Sequence, residues 1–333
     1  MEHADPVPPI ISVENLEHRY GDFTAVDTIS FTVKKGEIFS FLGPNGAGKS
    51  TVINILITLL ARQKGTAVVA GYDVTAQPQQ VRESIGIVFQ DITLDRDMTV
   101  RETLEFHGRL YNMPVSERRA RIDELLKLVQ LDTKRDELTK RLSGGMKRRL
   151  EIARGLMTRP KILFLDEPTI GLDPQTRMRM WEYIKNVNNE GTTIFLTTHY
   201  MDEADQLSDR ISIIDHGKIV ITGTSGELKN TLGRDLIYLE TDNNDAAVRI
   251  LKDVAAVRDV RIKSGGFVLT VHEDGTKILP SLIDTLRKNG IEISTINLKK
   301  PTMDDVFVHY TGKELRDEGA APARAMHLQP RGR

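Results

Sequence analysis

The run Gly43-Pro44-Asn45-Gly46-Ala47-Gly48-Lys49-Ser50 has the residue types that hold a chain of phosphates. Its glycines let backbone N–H groups close on phosphate oxygens, Lys49 offers a point charge to the β and γ phosphates, and the Ser50 hydroxyl suits Mg²⁺. Farther along, the apolar Leu163-Phe164-Leu165 runs into Asp166-Glu167. Carboxylates ending such a strand project from the carboxyl edge of a sheet, where open α/β folds bind ligands. Asp166 is expected to hold the Mg²⁺ shell and Glu167 to orient or deprotonate the attacking water. His199 ends the next strand at the same edge, where an imidazole can hydrogen-bond a γ-phosphate. His107, His216 and His272 lack that placement and read as structural. Between loop and carboxylates lies Leu142-Ser143-Gly144-Gly145, a Gly-rich helix start with a serine and therefore a second anion site. A chain with one phosphate loop has no use of its own for that site, which points to the nucleotide of a second subunit.

These groups need a parallel sheet behind them. Ile10 to Glu17, Ile29 to Val33 and Glu37 to Leu42 read as strands, with turns at Tyr20-Gly21-Asp22 and Lys34-Lys35-Gly36. The third strand enters the phosphate loop, and Ser50 to Leu60 reads as a helix with Val52, Ile53, Leu56 and Leu60 on one face. A polar, mostly helical insert follows from about Thr99 to Lys140, opened by a Thr99/Glu102 capping box, with Ile122, Leu125, Leu126 and Val129 as its buried face. Near-continuous apolar runs then return at Ile162 to Leu165, Thr193 to Thr197 and Ile211 to Ile214, the pattern of a parallel sheet covered on both faces. Beyond about Gly233, short strands and helices alternate as β-α-β-β-α-β, the ferredoxin-like split motif. The expected organisation is a flexible segment 1–9, a nucleotide-binding domain 10–235 with a helical subdomain at about 95–145, an accessory domain 236–312 and a disordered tail 313–333.

Composition narrows the function classes. With 46 basic and 47 acidic residues among 333, net charge is −1, so no overall field draws the chain to nucleic acid or anionic lipid. Lys147-Arg148-Arg149 lacks interleaved aromatics and reads as a solvated or phosphate-proximal face. There are no cysteines, hence no disulfides or thiolate metal sites, which fits a reducing compartment. The apolar stretch Val52 to Ala61 is broken by Asn54 and Thr58 and falls short of the roughly 20 residues of a membrane helix, so the chain is expected to be soluble by itself.

Taken together, Gly43 to Thr51, Leu142 to Met146, Leu165-Asp166-Glu167-Pro168, Gly171-Leu172-Asp173 and Thr198-His199 resemble the ATP-binding subunit of an ABC transporter over about residues 10 to 230. The resemblance implies a P-loop ABC ATPase fold, a mixed sheet with helices on both faces plus a helical subdomain. It implies that Gln90 senses Mg²⁺ and water and connects to a membrane partner, and that Tyr20, otherwise an ordinary turn aromatic, stacks on adenine. It further implies that Ser143, Gly144 and Gly145 bind the γ-phosphate held by the other protomer and that Asp173 lies across the same interface. Met146 departs from the usual glutamine, although the phosphate contacts there come from the serine and the helix N-terminus. The segments Ser143 to Arg154, Gly171 to Arg177 and Pro301 to Phe307 look like the daunorubicin/doxorubicin-resistance branch. That branch implies a homodimer closing on two Mg-ATP and driving a separate ABC-2 type permease from the cytoplasmic face of the membrane, with a drug or other amphipathic molecule as cargo. The competing class, a non-transport ABC ATPase acting on ribosomes or DNA, usually has two cassettes or a long coiled-coil insert, neither of which is present. A third reading makes the ferredoxin-like unit a small-molecule sensor that gates the ATPase. Val306, Phe307 and Tyr310 are expected to pack a terminal helix onto a domain.

Overall fold

Alternation of buried and exposed side chains makes Ile11–Tyr20 (β1) and Phe23–Val33 (β2) an antiparallel hairpin, paired from Ile11 with Val33 to Tyr20 with Phe23. Gly21 turns it at φ +57°. The second strand begins six residues earlier than the sequence pattern suggests, because Thr24 to Thr28 mixes small and polar residues and carries its apolar signal only at Ala25 and Val26. The computed structural model describes residues 8–263 and 265–312, so the expected tail and all but the last two residues of the expected flexible N-terminus lie outside the described residues.

Ile38–Leu42 (β3) is buried at every position and leads through the phosphate loop into Lys49–Leu56 (α1). This helix stops four residues short of the expected Leu60. Thr58 takes φ +66°, and the N–H groups of Leu59 and Leu60 both fold back to the Asn54 carbonyl. Lys64–Val69 (β4) and Tyr72–Asp73 (β5), which carry little apolar signal, then join the hairpin in a four-stranded sheet of order β2-β1-β4-β5. The chain continues through Pro78–Ser84 (α2), Ile85–Val88 (β6), Val100–Leu110 (α3), Val115–Leu128 (α4), Gly144–Gly155 (α5), Ile162–Asp166 (β7), Pro174–Asn189 (α6), Thr193–Thr198 (β8), Met201–Leu207 (α7), Arg210–Asp215 (β9), Lys218–Gly223 (β10) and Ser225–Thr231 (α8). The capping box that opens α3 is present, with Thr99 and Glu102 exchanging both bonds.

Six strands form the main sheet in the order β10-β9-β3-β8-β7-β6, parallel apart from the edge strand β10. Two buried clusters cover its faces. Phe31, Phe39, Phe41, Phe164 and Phe195 lie in the one shared with the antiparallel sheet, and Leu163, Leu165, Ile194 and Leu196 in the one shared with α3 to α6.

After α8 come Asp235–Thr241 (β11), Asn244–Lys252 (α9), Val257–Lys263 (β12), Gly266–Val271 (β13), Gly275–Lys288 (α10) and Ile293–Lys299 (β14). Their antiparallel sheet has the order β12-β13-β11-β14, as the split β-α-β-β-α-β motif requires. The terminal helix Met303–Thr311 (α11), started by a Thr302/Asp305 capping box, leaves that unit. Its Met303, Val306 and Phe307 pack among Leu42, Met201, Ala204, Ile211, Ile213, Leu228 and Leu232. A helix at the far end of the chain thus supports Leu42, the residue that precedes the phosphate loop.

Phe307 is 1% exposed. Phe307→Ala is expected to lose about 3–5 kcal/mol in a urea titration. A loss under about 1 kcal/mol would mean that the cluster closes without α11.

Candidate functional site

Strand register brings the reactive ends together. Leu42 of β3 pairs with Thr198 of β8, and Asp166 of β7 pairs with Thr197 of the same strand. Gly43, Glu167 and His199 therefore leave the sheet side by side. The Gly43 N–H donates to the Thr198 carbonyl at 3.2 Å. A Cβ on Gly43 would lie 2.2 Å from the Ile214 carbonyl oxygen, so only glycine lets the loop turn there. Gly48 has φ +104° and equally little room, a Cβ there meeting the Ala25 carbonyl oxygen at 2.4 Å.

Lys49 is buried at the base of this loop. Its Nζ donates to the carbonyls of Gly43 (2.7 Å) and Pro44 (3.1 Å) and lies 3.2 Å from Glu167 Oε1. Burial pulls the Lys49 amine below its ordinary range, opposed by the Glu167 and Asp166 charges. Glu167 Oε2 in turn sits 2.9 Å from His199 Nδ1. Burial pushes the Glu167 carboxyl up, but the His199 hydrogen bond and the Lys49 charge outweigh it and hold the group below the usual carboxylate range. The residue is held in the left-handed region, φ +48°, by its N–H donating to the Thr197 carbonyl and hydroxyl, both at 3.1 Å. Thr197 also donates to Asp166 Oδ1 at 2.5 Å, aligning the second carboxylate.

A cavity of about 350 Å³ lies over Lys49 and Glu167, and neither Asp166 nor His199 lines it. Pro44, Asn45, Gly46, Gly48, Lys49, Ser50, Thr51, Gln90 and Glu167 line it, with Tyr20 at its rim. Gly43 and Ala47 back the loop, the Ala47 carbonyl accepting from Gly217 at 3.0 Å. Phe23, across the hairpin turn from Tyr20, also lines the cavity and was not foreseen. Its signal was available in an aromatic placed opposite Tyr20 by a two-residue turn.

Ser143, Gly144, Gly145 and Asp173 do not line this cavity. Ser143 caps α5 by accepting from the Met146 N–H at 3.3 Å, and Asp173 caps α6 by accepting from the Thr176 N–H at 3.0 Å and hydroxyl at 2.6 Å. The Thr176 bonds hold the Asp173 carboxyl below its usual range. The two caps are neighbours, since a Cβ on Gly145 would come 2.5 Å from the Thr176 side chain. One chain therefore presents a cavity beside Lys49 in one place and an exposed helix N-terminus at Ser143 and Gly144 in another.

Arg148 departs from the reading of Lys147-Arg148-Arg149 as a solvated or phosphate-proximal face, being buried and absent from the lining of the cavity beside Lys49. It is 4% exposed, and its guanidinium donates to the carbonyls of Pro168 (2.9 Å), Asp166 (2.9 Å), Glu167 (3.2 Å) and Phe89 and pairs with Glu151 at 3.1 Å. Burial lowers the guanidinium's affinity for its proton, and the Glu151 charge offsets this only in part. Arg149 donates to the Val129 carbonyl and lies 5.1 Å over the Tyr183 ring. A helical count from the buried Gly145 would have put Arg148 on the inner face.

The sequence profile of the family described as "ABC transporter" matches residues 26–170, and that described as "ATP-binding protein DrrA1-3-like, C-terminal domain" matches residues 223–311. The chain is 40% identical over 316 residues to the daunorubicin resistance ATP-binding protein DrrA3 of Streptomyces coeruleorubidus, covering 93% of this chain and 98% of that protein. It is 37% identical over 314 residues to the linearmycin resistance ATP-binding protein LnrL of Bacillus subtilis (strain 168), covering 92% and 100%. Among solved structures, the dimeric post-hydrolysis state of the ATP-binding cassette MJ0796 bound to ADP and Pi matches with a TM-score of 0.57 and 28% identity, covering 64% of this chain and 98% of that one.

Arg148→Met keeps length and removes every donor, leaving four carbonyls and a buried Glu151 to find others. It is expected to cost about 3–5 kcal/mol in urea unfolding and to suppress ATP hydrolysis. Stability and turnover near those of the unaltered protein would show that the guanidinium is not what holds this junction.

Proposed function

The chain belongs to the ABC transporter ATP-binding proteins of the daunorubicin/doxorubicin-resistance type, and on that premise we propose that two copies close on two Mg-ATP and drive a separate ABC-2 type permease. The observation that carries this reading is the separation of the phosphate cavity from the Ser143/Asp173 face. A second chain can supply the missing helix N-terminus to a γ-phosphate held at Lys49, and its own cavity needs the same in return. The relation is isologous, so both sites form together.

Ser50, Gln90 and Asp166 would hold Mg²⁺. A hydroxyl, an amide oxygen and a carboxylate are the hard donors this ion takes alongside phosphate and water. Among the described residues no group of three or more His, Cys, Asp or Glu could hold a metal by itself, in keeping with an ion that depends on phosphate for its shell. When bound, Mg²⁺ neutralises charge on the β and γ phosphates. Lys49 binds the same oxygens, and a phosphate at its Nζ competes with Glu167 for that cation. Glu167, ionised across the neutral range, accepts a proton from the attacking water. His199 holds the carboxylate in place through Nδ1, and with an N–H at both ring nitrogens it would donate through Nε2 to the γ-phosphate as well. Tyr20 provides a ring for the adenine.

Gln90 follows Phe89, which lines a second cavity of about 460 Å³ between the main sheet and α3. Leu59, Phe106, Leu110 and Tyr111 also line it and are exposed, so this apolar groove suits a helix of a membrane partner. The surface from Gln90 to Asp97 borders it, and closure would pass to the permease there. No helix among the described residues is long and apolar enough to cross a membrane, so the translocation path falls to that partner at the cytoplasmic face. The two similar proteins are named for resistance to daunorubicin and to linearmycin, which supports a drug or other amphipathic molecule as cargo.

Glu167→Gln is expected to retain ATP binding, lose nearly all hydrolysis and give an ATP-dependent dimer on gel filtration; turnover equal to that of the unaltered protein would show that the base lies elsewhere. Lys49→Ala should lose tight ATP binding in equilibrium titration, and an unchanged affinity would count against the phosphate-loop assignment.

A further inference from the structure

Glu203, in α7, takes no part in the steps above, yet it is 0% exposed. Its Oε1 accepts from the Thr169 hydroxyl at 2.7 Å and from the Trp181 indole N–H at 3.1 Å, while Oε2 has no hydrogen-bond partner. Burial pushes the carboxyl up, against the pull of Thr198, Thr169, Trp181 and the Arg177 charge. Arg148 is close enough for its own guanidinium to respond to Glu203. Three segments meet at this side chain. Thr169 belongs to the link between Glu167 and the cap residue Asp173, Trp181 lies on α6 beyond that cap, and Glu203 follows His199 by one helical turn. A second contact joins the same two helices, because the Arg177 guanidinium lies 3.8 Å over the Tyr200 ring and 3.5 Å from Asp202.

We propose that Glu203 is a positioning residue that clamps the link from Glu167 to Asp173 onto the helix following His199. A γ-phosphate that draws on His199 then also moves the Asp173 face of the same chain, the face offered to the second copy. The inference rests on the two-chain reading of the nucleotide site. Its chemistry is local. A buried hydroxyl and a half-buried indole N–H need an acceptor, and without the carboxyl oxygen both would lose their partner between elements that must move together. An amide presents the same acceptor oxygen to the Thr169 hydroxyl and the Trp181 N–H, so glutamine can take its place.

The test uses the full-length chain, with steady-state Mg-ATP hydrolysis and the emission of Trp181, the only tryptophan. Glu203→Ala is expected to lower kcat about tenfold with KM within about twofold, and to abolish the change in Trp181 emission that ATP produces in the unaltered protein. Glu203→Gln should restore both. Thr169→Val, which keeps the shape and removes the donor, should lower kcat in the same direction and stands as the test if the alanine variant does not fold. Thr169→Val or Glu203→Ala with unaltered kcat and emission response would overturn the clamp, as would Glu203→Gln as impaired as Glu203→Ala. Failure of the unaltered chain to hydrolyse ATP would instead overturn the functional reading itself.

Discussion

The Arg148 guanidinium joins the helical insert to the catalytic edge of the sheet. It reaches the carbonyls that follow β7, the Phe89 carbonyl just before Gln90, and Glu151 on its own helix. A buried cation of this kind is tolerated only when its donors are spent on well-placed acceptors. Here that condition requires α5, the link after Asp166 and the end of β6 to hold one mutual geometry. The helix whose N-terminus Ser143 caps, the Glu167 backbone and the end of β6 before Gln90 are consequently parts of one rigid junction. Motion of the groove beside Phe89 cannot leave the carboxylates undisturbed.

A second chain of charge, from Lys49 through Glu167 to His199, depends on that junction. Its members come from three different strand ends and meet because β3, β8 and β7 are adjacent and in register to within one residue. The positive φ of Glu167 is the local cost of pointing its carboxylate at both partners, and Thr197 holds it there through two acceptors. The support continues below the loop, where α11 packs against Leu42 and α7. The C-terminal unit is thereby tied to the strand that enters the phosphate loop and to the helix that follows His199.

Much of the site was legible because its chemistry demands particular residues in unbroken runs. Only glycine fits at Gly43 and Gly48, only a long cation reaches the phosphates from the loop, and two acids after an apolar strand have few other uses. The capping boxes at Thr99 and Thr302 were equally local, since three residues decide them. Elements whose existence rests on pairing were hidden. β4 has a weak apolar pattern and persists through its ladder to β1, and the first part of β2 is held by the hairpin, whereas β10 was legible in its β-branched run Ile219-Val220-Ile221. The end of α1 was misjudged because Leu60 continues the helical spacing while Thr58 has already turned the backbone. Arg148 was missed for a different reason. Its acceptors are backbone carbonyls from distant segments, and carbonyls leave no mark on a sequence.

By itself the sequence determined the reaction class, the buried strands that lead into the phosphate loop, Asp166 and His199, and the split β-α-β-β-α-β unit, because each rests on residue type or short-range periodicity. Tertiary structure decided which groups share a site. It placed Glu167 within hydrogen-bond distance of both Lys49 and His199 and kept Ser143 and Asp173 out of the cavity beside Lys49. It also turned a run of basic residues inward and returned the last helix to the nucleotide-binding core. Those outcomes depend on contacts between residues far apart in the chain, where burial and the pairing of polar groups choose among arrangements that local pattern leaves equivalent.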